Sequence, residues 1–366
     1  MVVLPVACSA IRGGGANGGG NPGRGPEETG PTGTGRTAHR GRLALLLDFA
    51  NAWQKREGIC QGLANRFFAA KPRRNRRGAE EGLLPRGADG KVDGMNLEIP
   101  GYSITRSIGN GGMTKLYVAL DPQQNRYVIR VLNADSERDR RSRKRFQTGA
   151  EVLRALHTPK PHPNIVRLVK TGVENGRSYM VLQYVESRTL RDLILNRDPM
   201  LAQNPIVFIR QLARVVQYVH AKGFLHLDIK PENLLIQPDG RLVLIDFDLA
   251  VPRKRFFKKL PTLAGTTAYM PPEMLATRIA DDRSDVYAFG VTCYEMLTFH
   301  KPFEGEKIEQ VQAAQVDPAI PPTPIRQHNP AVPHALAELV MKCIAKKPED
   351  RYPDMVLVLR DLDRLS

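Results

Sequence analysis

Two short runs in this chain gather the residue types that phosphoryl transfer requires. His226-Leu227-Asp228-Ile229-Lys230-Pro231-Glu232-Asn233-Leu234-Leu235 sets a carboxylate, an ammonium and an amide close together. Leu244-Ile245-Asp246-Phe247-Asp248 adds carboxylates a short distance on. Asp228 can orient an attacking hydroxyl or accept its proton, and Lys230 can neutralise charge on a phosphoryl group in flight. Asn233 and Asp246 offer hard oxygen ligands suited to Mg²⁺. The plainer reading of the first run alone is a solvated turn whose Asp and Asn cap local backbone.

These runs need elements to position them, and the sequence supplies two kinds. From Tyr102 the pattern alternates as strands do: Tyr102 to Ile108, Lys115 to Leu120, Arg126 to Leu132, Ile165 to Gly172 and Ser178 to Tyr184. A helical segment, Ser142 to His157, interrupts them. Beyond Thr189 helical spacing dominates, in Ile206 to Lys222, Asp285 to Thr298 and Pro333 to Ala345. The expected fold class is α+β, with a small antiparallel β-rich lobe, a larger helical lobe, and the reactive loops where they meet.

Residues 1–94 read differently. Gly13-Gly14-Gly15, Gly18-Gly19-Gly20 and the Pro/Gly/Thr stretch to Gly35 cannot build a core and are expected to be disordered. Leu43, Leu46, Leu47, Ala50 and Trp53 would share one face of an amphipathic helix within Arg42 to Ala70. Met95 stands just ahead of the first strand, so a start assigned too far upstream is an equal reading of this leader. The apolar start carries no positive n-region of a signal peptide.

Composition narrows the function classes. The chain has 366 residues, 42% hydrophobic and 25% charged, as a globular protein does. No run approaches the roughly 20 apolar residues of a membrane span. The cysteines Cys8, Cys60, Cys293 and Cys343 lack metal-ligand spacing, and a reducing cytoplasmic setting fits them best. The net charge of +16 lies largely in the Arg-rich leader and in runs such as Arg138 to Arg145. Without aromatic interleaving or a nucleic-acid motif, no specific nucleic-acid partner is expected.

In order and spacing these motifs resemble the eukaryotic-type (Hanks-type) serine/threonine protein kinases, over roughly Tyr102 to Ser366, read as one domain spanning 102–366. The resemblance implies a bilobal kinase-like fold, ATP and Mg²⁺ as nucleotide and metal, and protein substrates bearing Ser or Thr. Ile108-Gly109-Asn110-Gly111-Gly112-Met113-Thr114-Lys115-Leu116 resembles the glycine-rich loop, where glycine lets backbone N–H groups approach phosphates. Thr114 stands in place of the third glycine. The resemblance puts Ile108, Leu116, Val128 and Leu235 around adenine, Leu182 at the gatekeeper and the backbone of Gln183 and Val185 at the hinge. It assigns Asp228 as base or hydroxyl orienter, Lys230 as phosphate contact, and Asn233 and Asp246 as metal ligands. Thr266, in Gly265-Thr266-Thr267-Ala268-Tyr269-Met270-Pro271-Pro272-Glu273, would hydrogen-bond to Asp228 and Lys230. Glu273 would pair with Arg351, and Asp285 would brace the catalytic-loop backbone.

The departures from the family pattern are as specific. Arg130 replaces the third-strand lysine that reaches the nucleotide phosphates, with a larger, forked cation. Gly149 falls at the position of the helix glutamate that pairs with that lysine. Glu151, about 200° further round the helix, should point elsewhere. Both ends of the usual clamp are therefore expected to be altered together. Lys115 is not expected to substitute, because strand alternation turns it to the opposite face. Leu227 replaces the arginine that would pair with an activation-segment phosphate, and the basic residues Arg253, Lys254, Arg255, Lys258 and Lys259 mark that segment. Asp248 replaces the glycine after Phe247, where it would stiffen the segment or set another carboxylate near the metal, the stiffening being the favoured reading. The resemblance implies an ATP-dependent serine/threonine protein kinase of low activity. The alternative is a pseudokinase acting as an ATP-binding or scaffolding module. A small-molecule phosphotransferase fits less well, because Thr266 to Glu273 looks like a peptide-docking segment.

Overall fold

The computed structural model describes residues 91–92, 95–96, 98–203, 205–253, 258–260 and 265–365. The leader lies outside the described residues, as does the helix expected within Arg42 to Ala70, apart from the pairing of Lys91–Val92 with Met95–Asn96.

Five strands form the antiparallel sheet: β1 (Ser103–Asn110), β2 (Thr114–Leu120), β3 (Arg126–Leu132), β4 (Leu168–Glu174) and β5 (Arg177–Gln183), in the order β1-β2-β3-β5-β4. Register decides which side chains share a face, because residues directly opposite project the same way. Leu116 lies opposite Arg130, which lies opposite Met180, while Val118, Val128 and Leu182 form the neighbouring row. The other face carries Tyr117, Ala119, Ile129, Val131, Tyr179 and Val181, packed with Ile99. Apolar side chains on both faces keep this sheet from being a one-sided solvent layer, and Arg130 emerges from a row in which it stands between Leu116 and Met180.

Between β3 and β4 run α1 (Ala134–Arg138) and α2 (Arg140–Leu156). Asp139 caps α2 by accepting the backbone N–H groups of Arg141 and Ser142, so the helix starts two residues before the expected Ser142. Phe146 and Ala150 on its inner face pack against Leu132 and Met180 of the sheet. This fixes α2 beside the row that carries Arg130.

The helical part is built around α6 (Asp282–Thr298), preceded by α3 (Leu190–Leu195), α4 (Pro205–Ala221) and α5 (Pro272–Thr277) and followed by α7 (Ile308–Val316), α8 (His334–Cys343) and α9 (Met355–Asp363). Every residue from Ser284 to Thr298 is buried. A helix without an exposed face belongs at the centre of its lobe, and α4 and α8 flank it. Arg351 and Glu273 lock the lower part of this body as expected: two parallel bonds of 2.8 Å join them, and the arginine also donates to the carbonyls of Ala345 and Lys346. Its guanidinium lies over the Tyr287 ring. The α+β architecture of an antiparallel sheet followed by a helical lobe is the expected one.

Candidate active site

The short hairpin of β6 (Leu234–Ile236) and β7 (Leu242–Leu244) sets the two reactive loops side by side. Leu234 pairs with Leu244, and the Ile245 N–H donates to the Asn233 carbonyl at 2.9 Å. Asn233 and Asp246 therefore leave the hairpin at the same end, although the sequence separates them.

The loop before the hairpin is held from below. Asp285, fully buried in α6, accepts the N–H groups of His226 and Leu227 at 2.8 Å each, and the ring of His220 lies 2.8 Å from the same carboxylate. These bonds hold Leu227 in a left-handed conformation (φ +61°), which a branched side chain resists. Burial opposes ionisation of Asp285, but the bonds and neighbouring imidazoles outweigh it and its pKa lies below the ordinary value. Burial likewise pushes the His226 pKa down. Its ring meets Phe247 edge-on at 4.7 Å.

The reversed loop delivers Asp228 into a network. Lys230 Nζ donates to both Asp228 oxygens at 3.0 and 2.8 Å and to the Thr266 hydroxyl at 3.2 Å. Asn233 Nδ2 donates to the Asp228 carbonyl and to its Oδ2, both at 2.8 Å. Of the two bonds expected of Thr266, the structure holds the one to Lys230, which links the loop to Thr266; the Asp228 carboxylate accepts instead from Lys230 and Asn233. These two bonds from Asn233 hold its amide nitrogen and fix the plane of the amide. Asp246, also left-handed (φ +62°), keeps a third of its side chain exposed. Burial raises its pKa but Arg130 and other neighbours outweigh this, so Asp246 titrates below the ordinary value. Two hard oxygen donors at one end of a hairpin suit Mg²⁺.

Above the hairpin, Arg130 makes contacts that the sequence did not disclose. Its Nη1 and Nη2 donate to Asp248 Oδ1 and Oδ2 at 2.9 and 2.6 Å, and its Nε donates to Thr114 Oγ1 at 3.2 Å. Asp246 Oδ2 lies 3.5 Å from Nη2. Arg130 and Asp248 retain only 13% and 7% of their side-chain exposure, so little water competes for the pair. Burial and the Asp246 carboxylate push the Asp248 pKa up to about 6 while Arg130 opposes them, leaving it ionised at neutral pH. Gly149 is the other half of this arrangement. A Cβ there would come within 2.5 Å of Asp248 Oδ1. Glu151 is exposed, and Arg130 bonds Asp248 and Thr114 instead of it. Lys115 lies opposite Val131 in the other row, whereas Thr114 shares the face of Arg130.

Leu116, Val128, Val185 and Leu235 are half-buried, and Ile108 and Gln183 are exposed. Gly109 pairs with Leu116 at the loop's base, and Gly111 donates its N–H to the Thr114 carbonyl, closing the turn that contains Gly112.

A family model for the protein kinase domain matches residues 102–358. The chain belongs to the protein kinase domain family. Among similar proteins, serine/threonine-protein kinase PrkC of Bacillus subtilis is 31% identical over 72% of this chain and 41% of its own length. Serine/threonine-protein kinase PknB of Mycobacterium leprae is 32% identical over 72% and 43%, respectively. Serine/threonine-protein kinase PknL of Mycobacterium bovis is 31% identical over 72% and 65%. The chain thus spans about two fifths of the length of the first two relatives.

Within this kinase domain, Asp248 and Thr114 are the residues whose bonds to Arg130 the sequence reading did not foresee: it took Asp248 chiefly as stiffening its segment and Thr114 as a replaced glycine. A signal was present: an acidic residue appears at 248 while one is missing at 149, so the charge count around the cation is conserved. Leu227 shows a second substitution. It packs with Leu225, Leu260, Met270, Met274 and Ala280, so an apolar cluster stands where the family pattern has an arginine. A cavity of about 570 Å³ opens beside it, between α2 and the segment after Asp248.

Proposed function

We propose that this chain is an ATP- and Mg²⁺-dependent protein kinase that transfers the γ-phosphate to serine or threonine hydroxyls of protein substrates. The observation that carries the reading is the Asp228–Lys230–Asn233–Thr266 network, held in one fold with a buried, anchored cation at Arg130. The substrate oxygen forms its bond to the γ-phosphorus as the bond to the leaving ADP oxygen breaks, and the hydroxyl proton passes to Asp228. Lys230 would neutralise charge on the transferring group, and its bond to Thr266 would tie the peptide-docking segment to it. Asn233 and Asp246 would hold Mg²⁺, whose charge offsets that of the phosphates. Positioning dominates this chemistry, so Arg130 matters through its location as much as through its charge. Ile108, Gly109, Gly111, Gly112, Leu116, Val128, Gln183, Val185 and Leu235 complete the proposed nucleotide cleft. The names of the similar kinases support the same class of reaction. Cys293 and Cys343 are free, buried thiols whose pKa values burial pushes up, consistent with the proposed cytoplasmic setting.

The alternative is a pseudokinase that binds ATP or a partner without turnover, favoured by Arg130 and Gly149 when each is taken as a loss. One assay separates the two readings: transfer from γ-labelled ATP to generic Ser/Thr peptides, with Mg²⁺ or Mn²⁺, by the full chain and by Asp228→Asn. Label incorporated by the unaltered chain and abolished in Asp228→Asn is the expected result. Equal labelling by the two rejects catalysis at this site.

A further inference from the structure

The pair of Arg130 and Asp248 is a buried, bidentate contact between β3 and the segment that follows β7, with Gly149 of α2 directly beside it. Three facts make these residues one device. Both guanidinium amino groups bond the two Asp248 oxygens, a fork-to-fork match that a lysine could not make. The third bond, from Nε to buried Thr114, fixes the rotation of the guanidinium plane. The space for the aspartate exists only because residue 149 has no side chain. Guanidinium carries five N–H groups. Three are engaged by these bonds, which leaves one on each of Nη1 and Nη2 for a further acceptor. Phe146 lies beneath the guanidinium, 5.7 Å from ring centroid to Cζ, and closes one face of it.

We propose that Asp248 is the positioning residue for the phosphate-contacting cation Arg130, and that Gly149 serves to admit it. The cation is then anchored by the segment that carries Asp246, and α2 contributes no carboxylate to its placement. This rests on the nucleotide-site reading given under the proposed function. It goes further in assigning to Asp248 a role in ATP binding although Asp248 need not touch ATP. The regulatory consequence is direct. Displacing α2 does not break the ion pair, whereas displacing the Asp246–Asp248 segment moves the metal-ligand candidate and the cation's anchor together.

The test uses the full chain and starts without nucleotide. A denaturation cycle of Arg130→Met, Asp248→Asn and the double variant should be strongly non-additive; additivity would overturn the pairing. Asp248→Asn preserves volume but sets an amide N–H₂ against one Nη. It should raise the Kd for Mg·ATP, read by calorimetry, and the KM for ATP by about tenfold to a hundredfold, the range expected for losing charge-assisted bonds. The KM for peptide should stay within about twofold. Gly149→Glu alone should also weaken ATP binding. Combined with Asp248→Gly it should instead restore much of what Asp248→Gly loses, because the carboxylate returns from the helix side. The proposal is overturned if Asp248→Asn binds ATP as tightly as the unaltered chain, or if Gly149→Glu does equal damage in both backgrounds. ATP binding without peptide labelling rejects only the catalytic reading and leaves this test intact. No ATP binding by the unaltered chain overturns both.

Discussion

Asp285→Asn is the most exacting test of how the catalytic loop is held, because it changes one atom type and almost no volume. In the structure the carboxylate is acceptor to the N–H groups of His226 and Leu227, with the His220 ring 2.8 Å away, all buried. An asparagine has one oxygen for two sites that each face a backbone N–H. Turning the amide one way leaves the Leu227 N–H against a donor; turning it the other way leaves that of His226. His220 can adapt by changing tautomer, but a backbone N–H cannot. One buried N–H is therefore orphaned at about 1–3 kcal/mol, and bonds to an ion become bonds to a neutral acceptor at about 1 kcal/mol each. With two bonds remaining to the neutral acceptor, the expected total is roughly 3–5 kcal/mol, less whatever the loop recovers by relaxing out of its left-handed turn. Urea denaturation of both proteins reads this directly, and the peptide-labelling rate should fall with it. Acidification supplies a second readout. The folded pKa of Asp285 is depressed, so its stabilisation is complete above the unfolded value of 3.8 and is lost as pH falls through the folded value. The stability gap between the two proteins should therefore narrow below about pH 4. A loss under ~1 kcal/mol at neutral pH, far short of an orphaned buried N–H, would refute the reasoning.

Two further outcomes follow from residues away from the nucleotide cleft. Arg351→Met strands the Glu273 carboxylate in a partly buried site and should cost about 3–5 kcal/mol in urea, while adding Glu273→Gln should recover a substantial part of it. Leu227 sits in an apolar cluster without the family's phosphate-binding arginine, so phosphatase treatment should change the peptide-labelling rate by less than about twofold, given that one charge-assisted partner is absent. A clear rise on phosphorylating Thr262, reversed by phosphatase, would contradict that reading.

The sheet and helices were legible because their periods are local. Arg126 to Leu132 alternates as a strand and occurs as one with those bounds, and the other elements differ from expectation by a few residues where a cap such as Asp139 extends a helix. The Glu273–Arg351 pair and the Asp285 brace were legible through motif order. The partner of Arg130 was not, because Asp248 lies 118 residues away and the two meet only in the folded chain. Taken separately, Arg130, Gly149 and Asp248 each read as damage; only their distances show that they compensate one another. Thr114, counted as a missing glycine, proves to be a hydrogen-bond acceptor for the same cation.

The space at Gly149 also makes residues 149 and 248 interdependent. With Asp248 in place, any side chain at 149 would set its Cβ 2.5 Å from Asp248 Oδ1, and a glutamate there would add a second carboxylate crowding one cation. The site accommodates an acidic anchor at one of these two positions at a time, so the cost of a substitution at either depends on the residue at the other.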